Sequence, residues 1–185
     1  MNVTATTELK KQLLAILQKK SVILGQVKLA SGKTSSFYID GKMTSLDRDG
    51  VVLAAKIFLA NLGDVQAVGG PTMGADPFLG AILYEAYLQN RALKGFIVRK
   101  DVKAHGTMKT IEGPLAKGDR TALIEDVITT GGSVLKAAEA LKQAGCAVTK
   151  ILCLLDRKEG AREAFAAAGI PYFSIFAKDD LNLPE

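Results

Sequence analysis

The sequence predicts an α/β fold with a mainly parallel central sheet flanked by helices, and three observations predict it. Apolar runs of strand length alternate with helical stretches between residues 65 and 176, the rhythm of βαβ crossovers. Several of those runs end in loops rich in Gly, Thr or acids, which suits the carboxyl edge of such a sheet. A hydrophobic fraction of 48% and 18 glycines suit a compact chain with many sharp turns. The 185 residues fit one domain, 1–185, long enough to bury about two thirds of its unfolded surface.

Residues 7–19 place Leu9, Leu13, Ile16 and Leu17 on one face of an amphipathic helix that Thr6 or Thr7 can cap. Extended pieces follow around 22–28 and 36–40, and a second helix covers 48–61. The alternation then runs strand 65–69, loop 70–74, helix 75–89, strand 94–98, loop 99–119, strand 121–125, loop 126–132 and helix 133–144. Strand 148–155, helix 159–168 and strand 170–176 complete it. No linker or internal repeat divides the chain. The N-terminal quarter is too short to fold alone and is expected to pack over the sheet edge. The loops beginning at Gly70, Arg99, Glu125 and Asp156 all emerge where a ligand of such a sheet sits.

Composition narrows the function classes. The net charge of +5 does not form a nucleic-acid surface: Lys10, Lys11, Lys19 and Lys20 read as a solvated helix face and its end. The functional cations are Arg99, Lys100 and Lys103, a cluster sized for a small polyanion rather than for a duplex. The first residues lack a basic leader region and no apolar stretch reaches membrane-spanning length. A soluble, cytoplasmic protein with no membrane partner is therefore expected. Cys146 and Cys153 lie in apolar surroundings without neighbouring metal ligands and read as buried free thiols.

Most of the functional information sits in 121–133, Thr-Ala-Leu-Ile-Glu125-Asp126-Val127-Ile128-Thr129-Thr130-Gly131-Gly132-Ser133. An apolar run delivers two carboxylates to the sheet edge. The Thr/Gly loop behind them can aim backbone N–H groups at an anion on the following helix N-terminus. Acids able to bind a diol beside a phosphate cradle point to a sugar phosphate. The plainer alternative is a strand, a turn and a Ser-capped helix with two solvated acids. Adjacent strand residues face opposite ways, so the two acids share one task only if the backbone turns at once.

The wording of this segment resembles the phosphoribosyl pyrophosphate (PRPP) signature of type I phosphoribosyltransferases. Two further segments narrow the resemblance to the orotate phosphoribosyltransferases. Arg99-Lys100-Asp-Val-Lys103-Ala-His105-Gly106 is similar to that family's mobile catalytic loop, and Leu29-Ala-Ser31-Gly32-Lys-Thr-Ser35-Ser36-Phe37-Tyr38-Ile-Asp40 to its N-terminal substrate segment. With Leu155-Asp156-Arg157, the resemblance spans roughly residues 20–160. It implies the type I phosphoribosyltransferase fold with a small N-terminal hood, to which residues 1–45 contribute much.

The resemblance also implies the reaction: ribose 5-phosphate passes from PRPP to orotate, giving orotidine 5′-monophosphate and pyrophosphate in de novo pyrimidine synthesis. Lys103, His105, Arg99 and Asp126 are the implied catalytic residues. Arg99, Lys100, Lys103 and His105 would meet the departing pyrophosphate, and Glu125 and Asp126 the ribose hydroxyls. Val127, Ile128, Thr129, Thr130, Gly131, Gly132 and Ser133 would cradle the 5′-phosphate, and Thr72 would belong to a second anion loop. Arg157 would clamp the orotate carboxylate, while Phe37 and Tyr38 are substrate-segment candidates with an equally good packing explanation. Mg²⁺ is the implied cofactor, held mainly through PRPP rather than by a protein metal site. The implied partner is a second copy: a homodimer in which the 99–109 loop reaches the neighbouring site.

Two positions depart from the family wording. Gly74 and Ala30 stand where some members carry lysines. Gly32-Lys-Thr mimics the end of a nucleotide-binding P-loop, but residue 27 is Val where that motif needs Gly. The rival readings are a phosphoribosyltransferase for another nucleobase and a non-catalytic PRPP-sensing regulator. The 99–106 loop and Arg157 argue against the first, and the intact Lys103/His105 pair against the second.

Overall fold

The computed structural model describes residues 3–28, 34–99 and 110–183. Helix α1 spans Val3–Lys20, strands β1 and β2 span Val22–Lys28 and Thr34–Ile39, and helices α2 and α3 span Lys42–Ser45 and Arg48–Asn61. Then come β3 (Ala67–Pro71), α4 (Asp76–Leu88), β4 (Lys94–Val98), β5 (Ile111–Glu112), β6 (Arg120–Ile128) and α5 (Gly132–Gln143). Strand β7 (Ala147–Asp156), helix α6 (Ala161–Ala167), β8 (Tyr172–Ala177) and a 3₁₀ turn (Lys178–Leu181) end the chain. The main sheet has the order β5-β4-β3-β6-β7-β8, and β1 and β2 form a separate antiparallel ribbon. Every neighbouring pair in the main sheet is parallel except β4 with the short β5. The expected mainly parallel sheet is thus present, with helices on both faces.

Side-chain alternation sorts the core into two layers. Val68, Ala122, Ile124, Leu152 and Leu154 face a cluster completed by Leu13, Leu17, Phe58, Phe78 and Ile82 from α1, α3 and α4. Ala67, Leu123, Ile151 and Cys153 face a second cluster with Val134, Ala137, Leu141 and Phe165 from α5 and α6. The hydrophobic face of α1 meets α3 through the first cluster. Cys146 and Cys153 are buried free thiols. Burial pushes the Cys153 thiol far up, with its sulfur 3.0 Å from the Tyr172 hydroxyl. No helix among the described residues is long and apolar enough to cross a membrane.

Several boundaries differ from the sequence expectation. Helix α1 begins at Val3, so Thr6 and Thr7 lie inside it rather than capping it. Strand β3 runs to Pro71, because Thr72 still donates its N–H to Val98 across the ladder at 3.0 Å. The 99–119 segment carries β5, and α6 is shorter than 159–168. Most consequential is β6, which continues through Ile128 rather than stopping at residue 125, paired with β7 as far as Ile128↔Asp156. The motif loop therefore shrinks to residues 129–131, and α5 opens at Gly132.

Candidate active site

Glu125 and Asp126 sit within β6, not after it, and both are buried, at 7% and 6% exposure. Yet the alternation changes phase across them. Before the acids the odd-numbered Leu123 faces the α5/α6 layer; after them the even-numbered Ile128 does, while Val127 packs against the opposite cluster. This is the backbone turn that a shared task for adjacent acids requires. Both carboxylates reach the same point: a Cβ built on Gly74 would lie 1.2 Å from Glu125 Oε1 and 2.9 Å from Asp126 Oδ1. The Asp126 N–H donates to Glu125 Oε1 at 3.2 Å, and the Val127 N–H to Asp126 Oδ1 at 2.8 Å.

The start of α5 has the form of an anion cradle. Gly131 precedes it with φ +80°, a left-handed conformation that suits glycine. A Cβ there would also strike the Phe165 ring at 2.6 Å. Among the described residues no side chain caps the helix, so the Ser cap of the plainer alternative is not formed and the first-turn N–H groups keep their capacity for a ligand. Thr130, Gly132 and Ser133 are exposed on this turn.

The loop after β3 also lines the cleft. The Thr72 hydroxyl donates to Asp76 Oδ2 at 2.5 Å, and the other oxygen of Asp76 is buried without a hydrogen-bond partner among the described residues. The departure at Gly74 acquires a physical reason, since the Glu125 carboxylate fills the space where a side chain at 74 would begin. A cleft of about 370 Å³ is lined by Lys42, Thr72, Met73, Gly74, Glu125, Asp126, Val127 and Ser133. The β3 loop, the two acids and the α5 start therefore converge.

Lys42 is the residue that the sequence reasoning missed. Its Nζ lies 3.3 Å from Asp126 Oδ2. Partial burial would lower its pKa, but the charge and hydrogen bond of Asp126 outweigh that, with Asp40 and Tyr38 adding, so the ammonium is held above its ordinary value. The available signal was a cation two positions beyond Asp40, at the end of the N-terminal motif.

Other predicted residues are placed around this cleft rather than in it. Arg99 pairs with Glu112 at 3.4 Å and lines a neighbouring cleft of about 380 Å³ with Pro71, Val98, Thr110, Lys136 and Ser133. Ser133 borders both clefts. Arg157 follows β7, donates its N–H to Ile128 at 2.9 Å, and pairs its Nη2 with Glu159 at 2.9 Å. Its Nε is buried without a hydrogen-bond partner among the described residues. Phe37 belongs to the hydrophobic core, with Lys178 Nζ 5.0 Å from its ring centre, whereas Tyr38 is 38% exposed. Lys100, Lys103 and His105, like Ala30 and Ser31, lie outside the described residues.

Among the described residues no cluster of three or more His, Cys, Asp or Glu side chains is arranged to hold a metal ion. The cleft does present two carboxylates beside an anion cradle. That donor set fits a hard cation carried largely on the oxygens of a phosphorylated sugar.

The phosphoribosyl transferase domain family matches residues 46–167. The orotate phosphoribosyltransferase of Streptomyces coelicolor is 40% identical over 180 residues, covering 96% of this chain and 99% of that protein. The enzyme of that name from Rhodopseudomonas palustris is 44% identical over 176 residues, covering 91% and 94%. Among solved structures, Mycobacterium tuberculosis orotate phosphoribosyltransferase in complex with PRPP superposes with a TM-score of 0.80 at 32% identity, covering 95% and 99%. The same enzyme with Fe(III) dicitrate gives 0.85 at 35% identity, with the same coverage. Adenine phosphoribosyltransferase from Leishmania donovani, 14% identical with a TM-score of 0.65, shares the fold. With a family match over most of the chain and full-length relatives at this identity, the chain belongs to the orotate phosphoribosyltransferases of the type I phosphoribosyltransferase family.

Proposed function

We infer that this chain transfers the 5-phosphoribosyl group of PRPP to orotate, giving orotidine 5′-monophosphate and pyrophosphate, a step of de novo pyrimidine synthesis. The observation that carries the reading is the convergence of two buried carboxylates, the β3 loop and an uncapped helix start in one cleft. It occurs in a chain related along nearly its whole length to orotate phosphoribosyltransferases.

The bond between ribose C1′ and the pyrophosphate oxygen breaks as the bond from C1′ to orotate N1 forms, and the N1 proton is lost. No covalent nucleophile is required. Glu125 and Asp126 accept hydrogen bonds from the ribose 2′- and 3′-hydroxyls, and their charge favours the electron-poor sugar of the transition state. The 129–133 turn and the α5 N-terminus receive the 5′-phosphate. Thr72 and its loop receive pyrophosphate. Arg157 turns its fork to the orotate carboxylate, supported by the unpartnered Nε at the end of β7. Mg²⁺, when bound through the substrate oxygens, screens the negative charge of PRPP.

The reading extends to the motif loop and to assembly. Arg99, Lys100, Lys103 and His105 stabilise the leaving pyrophosphate, a role supported by their match to the family loop. Arg99 meanwhile rests on Glu112 at the foot of that loop. The chain works as one cytoplasmic domain, its first 45 residues contributing much of a hood, and as a homodimer whose 99–109 loops cross between subunits. Phe37 supports the substrate segment from within the core, and Tyr38 faces outward from it.

Arg157 favours orotate over bases without a carboxylate, and the complete loop wording favours turnover over PRPP sensing. The test is an orotate-dependent assay of PRPP consumption with Mg²⁺, with adenine, hypoxanthine and uracil as controls. Consumption with orotate alone is expected. Turnover with another base, or PRPP binding without turnover, would overturn the assignment.

A further inference from the structure

Lys42 is fixed to the cleft by a scaffold that its sequence neighbours build. The Asp40 carboxylate accepts the Lys42 N–H at 3.0 Å, starting the short α2. Behind it the Thr44 and Ser21 hydroxyls meet at 2.6 Å in the interior. Gly41 presses the segment onto β6 so closely that a Cβ there would lie 2.7 Å from Val127 Cγ2 and 3.1 Å from Asp126 Oδ2. A side chain at 41 would push α2 away from the acid. The ammonium is thus delivered to the Asp126 carboxylate across 84 residues of sequence.

The cleft has an electrostatic need for such a group. Two adjacent carboxylates face a substrate that is itself a polyanion, and like charges at this spacing repel. Among the described residues that line the cleft, Lys42 alone is a cation. Its side chain is 43% exposed while that of Asp126 is 9% exposed. The pair therefore leaves the ammonium at the water-facing side and the carboxylate pinned beneath it.

We propose that Lys42 is a positioning residue for phosphoribosyl transfer: its ammonium holds the Asp126 carboxylate aimed into the sugar-phosphate cleft and offsets its charge against the incoming polyanion. The proposal rests on the assignment of Asp126 to the ribose hydroxyls. Because Lys42 is partly exposed, the coupling is moderated by solvent.

The test is calorimetric titration of PRPP with Mg²⁺ into the full-length protein and its Lys42→Met, Lys42→Arg, Asp126→Asn and Lys42→Met/Asp126→Asn variants, with steady-state kinetics alongside. Lys42→Met should weaken PRPP about two- to fivefold, the scale of a partly exposed ion pair. It should raise the KM for PRPP more than it lowers kcat and leave the orotate KM in place. Lys42→Arg should restore most of the affinity. In the Asp126→Asn background, Lys42→Met should add no further loss. Full additivity would mean that Lys42 touches PRPP itself and would overturn the proposal, as would unchanged affinity in Lys42→Met or failure of Arg to rescue. If Asp126→Asn binds PRPP normally, the sugar assignment falls and the proposal with it. A loss in Asp126→Asn without one in Lys42→Met defeats the Lys42 role alone.

Discussion

Gly74→Ala isolates the position of the Glu125 carboxylate from the stability of the fold. The added methyl would sit 1.2 Å from Glu125 Oε1 and 2.4 Å from its Cδ, so the carboxylate must rotate out of its present place. Gly74 is not among the glycines with positive φ, so alanine meets no left-handed penalty. Alanine at a compatible backbone stabilises by about 0.4–1 kcal/mol through the unfolded chain. An off-rotamer glutamate costs about 0.5–1.5 kcal/mol. The two nearly offset, and the Tm should move by no more than about 3 °C. Affinity should not be spared. A charge-assisted hydrogen bond to the sugar is worth about 1.5–3 kcal/mol, so PRPP should bind roughly ten- to 150-fold more weakly. Calorimetric titration and a thermal melt on the same preparation separate these quantities. Unchanged PRPP affinity at an unchanged Tm would refute the role of Glu125 as a sugar acceptor.

Three further outcomes are expected. Arg157→Ala should raise the orotate KM about tenfold or more, by the loss of a charge-assisted contact, and leave the PRPP KM nearly in place; equal effects on both substrates would remove the carboxylate assignment. Lys103→Ala should preserve dimerisation and ground-state PRPP binding but lower kcat by about two orders of magnitude, since roughly 3 kcal/mol confined to the transition state is lost. Mixed dimers of this variant with a Glu125/Asp126 double variant should partly regain activity, through the one site with a normal loop and normal acids, and verified mixed dimers without recovery would place the loop in its own subunit. Gly131→Ala should destabilise by about 1–2 kcal/mol from the left-handed backbone alone, with more from the Phe165 ring at 2.6 Å; a melt that matches the unsubstituted protein would contradict the strained-turn account.

The sheet was legible because its signals are local. Each buried strand reads as a short apolar run, and the intervening helices carry their own periodicity, so β3, β4, β6 and β7 could be found one window at a time. Ends were less legible. Glu125 and Asp126 look like a strand terminus because charged residues rarely occupy a buried strand. The ladder to β7 nevertheless continues past them to Ile128, which keeps the backbone paired while the acids face the cleft. Ser133 likewise looks like a helix cap, yet α5 starts at Gly132 behind the left-handed Gly131, which has no side chain to cap it.

The candidate site divides along the same line. Glu125, Asp126 and the 129–133 turn are contiguous, and a contiguous motif reports its own chemistry. Lys42 and Gly74 gain meaning only from what the fold brings against them, in both cases the same pair of acids. The lysine absent at 74 reads in sequence as a lost phosphate contact; in space, a side chain there would have to evict the Glu125 carboxylate. The described cation that faces the acids comes instead from position 42. Substituting one position from a family pattern therefore misjudges this site, because Gly74, Glu125, Asp126 and Lys42 share one volume and one balance of charge. A lysine introduced at 74 should fail to act as a gained phosphate contact unless Glu125 is shortened with it.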